Sequence, residues 1–370
     1  MFFEKEKLKK TITITITQSC NLNCCYCYED HKSKNFIDTS VAYHIIDREL
    51  SCLSKDDEIE IDLFGGEPFV KFDTIKAIAD YIDTKYNKHN ITLFITTNGT
   101  LLDDDSKKWC KDHCKKVKLG LSFDGTPQMQ DINRSNSSQL IDLDFFAETY
   151  PDQEVKMTIS QATLPFLSEG VIFLHNKGFK VSCNLAYGLD WSEVSNKDIL
   201  ERELMKLINF YLEHKEISPC SILDSPISPI AYAEKVALRT CGAGWTMVAY
   251  DTNGQPYPCQ FFMPLSIGVE KANAVKDIEF HNDVIPDNIL DPKCVDCILK
   301  SVCQRCYGSN YLATGNLYIQ DENMCSLTKI IYSARAYFKA QLLEQGCYSE
   351  CSDDEIKTLA KSILLIQENL

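Results

Sequence analysis

What constrains this chain most is a period that alternates along its first half. Residues 11–17 (TITITIT) alternate Thr and Ile, the two-residue period of a strand with two unlike faces. The Ile face is expected to pack against helices and the Thr face to point toward something polar. Residues 39–53 then place Val41, Ile45, Ile46 and Leu50 at helical spacing. The strand EIEIDLF (58–64) follows, then a helix over about 72–86, the strand ITLFITT (91–97), a helix over about 103–116 and the strand VKLGLSF (117–123). Weaker strands at 155–161 and 180–187, with a helix between them, bring the alternation to about six repeats. Such a pattern implies parallel strands joined by right-handed helical crossovers. Chemistry in these folds gathers at the C-terminal ends of the strands. Those ends carry CNLNCCYC (20–27), GGE (65–67), TNG (97–99) and SFDG (122–125).

The alternation fades near residue 190. A helical linker is expected over 191–235, a cysteine-rich domain over 236–330, and C-terminal helices over 331–370, around Leu327 to Gln345 and then Asp353 to Gln367. Acids outnumber bases by 53 to 38, a net charge of -15, which argues against a partner that presents phosphates, such as nucleic acid. No run of about 18 apolar residues suggests a membrane helix. MFFEKEKLKK carries charges where a signal peptide needs an apolar stretch, so a cytoplasmic protein is expected.

Eighteen cysteines are the compositional anomaly. In a reduced cytoplasm, clustered thiols point to metal or catalysis. Cys20, Cys24 and Cys27 follow the spacing C-x3-C-x2-C directly after a strand. Three thiolates on a short loop can hold three irons of a [4Fe–4S] cube and leave the fourth open. A zinc loop short of one ligand, or a set of reduced thiols, is the plainer reading of that spacing alone. Cys25 is taken as a non-ligand.

With Tyr26 before the last cysteine and GGE at the next strand end, these residues resemble the radical S-adenosylmethionine (SAM) superfamily over residues 11 to about 190. The resemblance implies an α/β fold whose residues 1–190 form a partial (β/α)6 TIM-like barrel. It also implies SAM chelated to the open iron and cleaved by one electron to a 5′-deoxyadenosyl radical. By the same resemblance Gly65, Gly66 and Glu67 bind the methionine amino group. Ser122 and Arg134 contact the carboxylate and ribose, Asn98 lies at the matching strand end, and Leu185 lies near the adenine. A carboxylate suits an ammonium, and a guanidinium fork suits a carboxylate.

A second set of thiols runs Cys241-x12-Gly254-x4-Cys259, then Cys294-x2-Cys297-x5-Cys303-x2-Cys306, with Cys325 nineteen residues further on. Paired C-x2-C units are also what zinc ribbons use. The order resembles the SPASM domain that follows the barrel in one radical SAM subgroup, with x2 where the family pattern has x3 between Cys303 and Cys306. That resemblance implies two auxiliary [4Fe–4S] clusters, three in all. Cys294, Cys297, Cys303 and Cys325 would ligate one. Cys241, Cys259 and Cys306 would hold the other, with Cys220 or a substrate thiolate as fourth ligand. Eight cysteines, Cys220 among them, fall outside these sets and read as free thiols.

Enzymes of this subgroup modify peptides. The sequence is therefore expected to be a peptide maturase acting on a ribosomally made precursor, installing a thioether or carbon–carbon crosslink or another side-chain modification. The expected partners are that precursor and a flavodoxin- or ferredoxin-type electron donor; with only 19 residues before Cys20, leader recognition is expected to use another surface, a separate leader-recognition protein, or nothing at all. An anaerobic sulfatase maturase, which makes formylglycine, is the alternative. Against it, Gln260 follows Cys259 where that group carries an acid, and an amide cannot take a proton. No cysteine lies between Cys241 and Cys259, where the sulfatase maturases have one. A cluster or zinc scaffold that makes no radical is the third reading. Asp62, Asp124 and Tyr26 lie near the expected pocket, and no catalytic base is singled out.

Overall fold

The computed structural model describes residues 7–232, 237–278, 280 and 284–370. Strands β1 (Lys9–Thr17), β2 (Glu58–Gly65), β3 (Asn90–Thr97) and β4 (Val117–Leu121) lie side by side in parallel, in the order β4-β3-β2-β1. Their connections are helices α1 (Thr39–Leu50), α2 (Phe72–Lys85) and α3 (Asp104–His113). Asp38 caps α1, its carboxylate accepting from Ser40 N, and the helix buries Ala42, Ile45, Ile46 and Leu50. Fully burying one such isoleucine contributes about 1.5–3 kcal/mol. On β1 both faces are closed off: Ile12, Ile14 and Ile16 and also Thr13, Thr15 and Thr17 are 0% exposed. That is the expected lot of a central parallel strand. The Thr face does meet polar or polarisable partners, Thr13 Oγ1 donating to Asp62 (3.5 Å) and Thr15 Oγ1 to Met263 Sδ (3.1 Å).

Beyond β4 come α4 (Pro127–Asn133), α5 (Leu143–Thr149), β5 (Glu154–Ile159), α6 (Leu167–Asn176), β6 (Lys180–Leu185) and α7 (Ser195–Glu213). The strand–helix fold read from the sequence is present, with one departure. β5 and β6 form a two-stranded sheet of their own, and the main sheet grows from its other edge instead. After β7 (Ala237–Leu238), β8 (Met247–Tyr250) pairs in parallel with β1, from Thr11 opposite Met247 to Ile14 opposite Tyr250. β9 (Pro256–Tyr257) then turns back antiparallel on β8, and β10 (Val284–Ile285) pairs with β7.

The chain divides into two compact units. The first comprises Met1–Phe123, Arg134–Val155 and Gly242–Phe280, and holds the six-stranded sheet. The second comprises Asp124–Asn133, Lys156–Cys241 and His281–Leu370. Its core joins the cysteine-rich loop, through Leu299, Val302 and Cys303, to the helices Glu322–Glu344 and Asp353–Asn369, through Tyr332, Ala336 and Ile363. A capping box between Ser352 and Glu355 opens the last helix. Among the described residues no helix is long and apolar enough to cross a membrane.

Candidate functional site

In the first unit, the loop after β1 and the turn after β2 are locked backbone to backbone. Gly66 N donates to Thr17 O (3.1 Å) and Glu67 N to Ser19 O (2.9 Å). Only glycine fits there. A Cβ on Gly65 would stand 1.9 Å from Thr17 O, and Gly65 has φ of +143°; a Cβ on Gly66 would stand 2.4 Å from Ser19 O. The GGE signature thus serves a close approach between the turn and the first cysteine.

Glu67 is 1% exposed, and its carboxylate is engaged from three sides. Oε1 accepts from Phe69 N (3.1 Å) and Thr97 Oγ1 (2.7 Å), and Oε2 from Asn98 N (2.7 Å). Burial raises its pKa, against which these donors and the nearby Arg134 favour the charged form. Asn98 passes the link on to the cysteine loop, its Nδ2 donating to Asn21 Oδ1 (3.0 Å). Arg134 is 8% exposed and lies over the Tyr26 ring at 5.3 Å, a cation–π contact that orients the guanidinium. Ser122, also 8% exposed, donates its N–H to Thr97 O (2.9 Å). Six of the seven residues expected to touch SAM therefore belong to this unit. Leu185 ends β6 in the second.

Cys20, Cys24 and Cys27 are partly buried on the loop and Cys25 is exposed. Cys27 N donates to Cys24 O (3.1 Å), and Cys20 Sγ accepts from Leu22 N (3.4 Å). Burial raises the Cys20 pKa, with Glu67 and Cys27 close enough to add to the effect. Two residues that no spacing rule singles out complete the surroundings. Lys32 Nζ donates to Cys27 Sγ at 3.0 Å. Glu29 is 5% exposed, its Oε1 lacks a hydrogen-bond partner, and burial pushes its pKa up to about 7. Tyr28 stacks on Phe261 with centroids 4.8 Å apart, and burial holds its hydroxyl protonated, with Cys259 within electrostatic range. Gln260 Oε1 is buried beside Phe261 without a hydrogen-bond partner.

The second unit holds Cys241, Cys294, Cys297, Cys303, Cys306 and Cys325, while Cys259 lies in the first. Burial pushes the Cys303 pKa up to about 12, and Cys294, Cys297 and Cys325 are all near enough to oppose its ionisation. Cys306 and Cys241 interact with one another, and Tyr187 faces Cys306, Cys303 and Cys241. Cys220 is fully buried elsewhere. Its neighbours are Cys183, which feels its charge, and Tyr211, whose hydroxyl accepts from Cys220 N at 2.9 Å. Leu185 and Tyr187 line a cavity of about 270 Å³ with Gln304, Met324 and Arg335. Asp124 is 0% exposed and knots this unit together, accepting from Thr158 N (2.8 Å) and Asn133 Nδ2 (3.1 Å). Among the described residues no three His, Cys, Asp or Glu side chains converge tightly enough for a single metal ion. Thiols set around an iron–sulfur cube stand further apart than those around one zinc, where 2.3 Å bonds force the sulfurs together.

Residues 14–139 match the family model of the radical SAM superfamily. Over those residues the chain is similar to the radical SAM superfamily. Over 164 residues it is 32% identical to the uncharacterized protein MJ0907 of Methanocaldococcus jannaschii, covering 42% of this chain and 55% of that one. It is 19% identical over 325 residues to the radical SAM cyclopropyl synthase TigE of Paramaledivibacter caminithermalis, covering 82% and 66%. To the subtilosin biosynthesis protein AlbA of Bacillus subtilis it is 22% identical over 250 residues, covering 65% and 52%. The matches thus span between about half and two-thirds of these relatives' lengths. Among solved structures, anSMEcpe with bound AdoMet superposes with a TM-score of 0.68 at 16% identity, over 96% of this chain and 98% of that one. SuiB of Streptococcus suis bound to precursor peptide SuiA gives 0.54 at 16% identity, over 86% and 76%. Both show that the fold is shared.

Proposed function

We propose that this chain is a peptide maturase that uses radical SAM chemistry to install a crosslink, thioether or carbon–carbon, in a ribosomally made precursor. The observation that carries the radical reading is the GGE turn clamped onto the Cys20–Cys27 loop, with a buried carboxylate at its end. The residues present fit the groups the family uses. Cys20, Cys24 and Cys27 would hold a [4Fe–4S] cluster with one open iron, and Gly65, Gly66, Glu67, Asn98, Ser122, Arg134 and Leu185 would hold SAM. When bound, the pair supplies reductive cleavage of SAM and abstraction of a substrate hydrogen.

The chain's own residues do the positioning. Three donors fix Glu67 in one rotamer as an anion for the SAM ammonium. Tyr26 restrains the Arg134 fork for a carboxylate. Lys32 places a positive charge against Cys27. Cys294, Cys297, Cys303 and Cys325 would ligate an auxiliary cluster, and Cys241, Cys259 and Cys306 another, as in a SPASM domain. Peptide modification is supported by the likeness to SuiB, solved with its precursor peptide, and to AlbA, a bacteriocin biosynthesis protein. Electrons would come from a flavodoxin- or ferredoxin-type donor.

The test is anaerobic incubation with SAM and dithionite, following 5′-deoxyadenosine, and then mass analysis of candidate precursor peptides expressed with the enzyme. Formation of 5′-deoxyadenosine and a two-hydrogen loss per crosslink support the proposal. Formylglycine in a sulfatase peptide would assign the chain to the sulfatase maturases, and no SAM cleavage by iron-loaded protein would leave a scaffold.

A further inference from the structure

The cysteine-rich loop of the second unit buries a cation. Arg305 is 4% exposed. Its Nη1 donates to two backbone carbonyls, Lys300 O at 3.1 Å and Cys303 O at 3.5 Å, while its buried Nε has no hydrogen-bond partner. The guanidinium also lies in electrostatic range of Cys294 and Cys303. The nearby lysines are treated differently. Lys293 pairs with Asp291 and Glu322, and Lys300 with Asp287. Among the described residues no carboxylate pairs with Arg305. Burying an unpaired charge is costly, so a buried guanidinium with an unsatisfied Nε in this loop suits an anionic group bound beside it.

We propose that Arg305 is the built-in counter-ion of the cluster on Cys294, Cys297, Cys303 and Cys325, and that it raises the reduction potential of that cluster. The inference rests on the auxiliary-cluster reading above. Adding an electron makes the cluster more negative, and a fixed buried cation in the cluster-binding loop favours that state. Burial keeps the charge from being screened by salt. The two-residue gap between Cys303 and Cys306 puts Arg305 directly against the cluster-binding loop.

The experiment uses the full chain with Cys20, Cys24 and Cys27 changed to Ala, reconstituted anaerobically, so that auxiliary signals are read alone by EPR-monitored redox titration. Arg305→Met is expected to lower the midpoint of one auxiliary signal by about tenfold in the reduction equilibrium, 59 mV for one electron. The other signal should hold, and Arg305→Lys should recover part of the loss. Should Arg305→Met fail to retain iron, Arg305→Gln takes its place with the same expectation. A loaded charge-free variant with both midpoints unchanged would overturn the role of Arg305. Parent protein that binds no iron in this background would instead remove the auxiliary-cluster reading, and this inference with it.

Discussion

Gly66→Ala tests whether the turn after β2 is truly clamped to the first cysteine. The added Cβ would stand 2.4 Å from Ser19 O, 2.5 Å from Ser19 C and 2.9 Å from Cys20 N. All three are backbone atoms, so no side chain can swing aside. Carbon contacts are comfortable only near 3.5 Å, so the loop must retreat by about 1 Å. That retreat opens Glu67 N→Ser19 O and Gly66 N→Thr17 O, now 2.9 and 3.1 Å. Each bond contributes about 1 kcal/mol net, and a buried group left unpaired costs about 1–3 kcal/mol, so the expected loss is about 2–4 kcal/mol. With a urea slope of about 3 kcal/mol/M, the unfolding midpoint should fall by roughly 1 M. The assay is urea unfolding followed by circular dichroism, with iron per chain measured after reconstitution. The variant should also lose about four irons, those of the N-terminal cluster. Gly65→Ala, with its positive φ and a 1.9 Å clash on Thr17 O, should be at least as severe. An alanine at 66 that leaves both midpoint and iron unchanged would refute the clamp.

Glu67→Gln keeps the shape but turns an NH2 toward a donor. It should cost about 1–3 kcal/mol and weaken SAM binding, read by equilibrium dialysis against the reconstituted protein. Cys24→Ser should lose the N-terminal cluster while Cys25→Ser, exposed on the same loop, keeps it; matching iron contents would contradict the ligand assignment. Glu203 is 0% exposed; burial raises its pKa, but Lys206 (2.7 Å) and Ser168 (2.6 Å) outweigh this and hold it below the usual glutamate value. A depressed pKa stabilises above the unfolded value of about 4.3 and loses that contribution as pH falls through the folded one. Glu203→Gln should therefore be destabilised at pH 7, with the gap to the parent closing toward pH 3.

Much of this was legible in the sequence because it is local. The Thr–Ile alternation marks β1, strand-end loops mark the site, and C-x3-C-x2-C with GGE marks the family. What was not legible depends on long-range pairing or on single residues. β8 is four residues, MVAY, with no periodic signature, yet it extends the sheet on β1. Nothing in a lone Glu29, Lys32 or Arg305 distinguishes it from a solvated surface charge until burial and neighbours are known. Glu67 was read as a ligand by its type and place; the structure adds that three internal donors already hold it. Cys220 illustrates the reverse, a thiol eligible by count that lies beside Cys183 and Tyr211.

The most direct measurement is iron, zinc and acid-labile sulfide per chain after anaerobic purification and reconstitution. Three clusters require about twelve irons with equal sulfide, falling to about eight when Cys20, Cys24 and Cys27 are replaced. About four irons with zinc in the remainder, or zinc alone, would contradict the account: the second set of thiols would then be structural, and the maturase reading would lose its chief support.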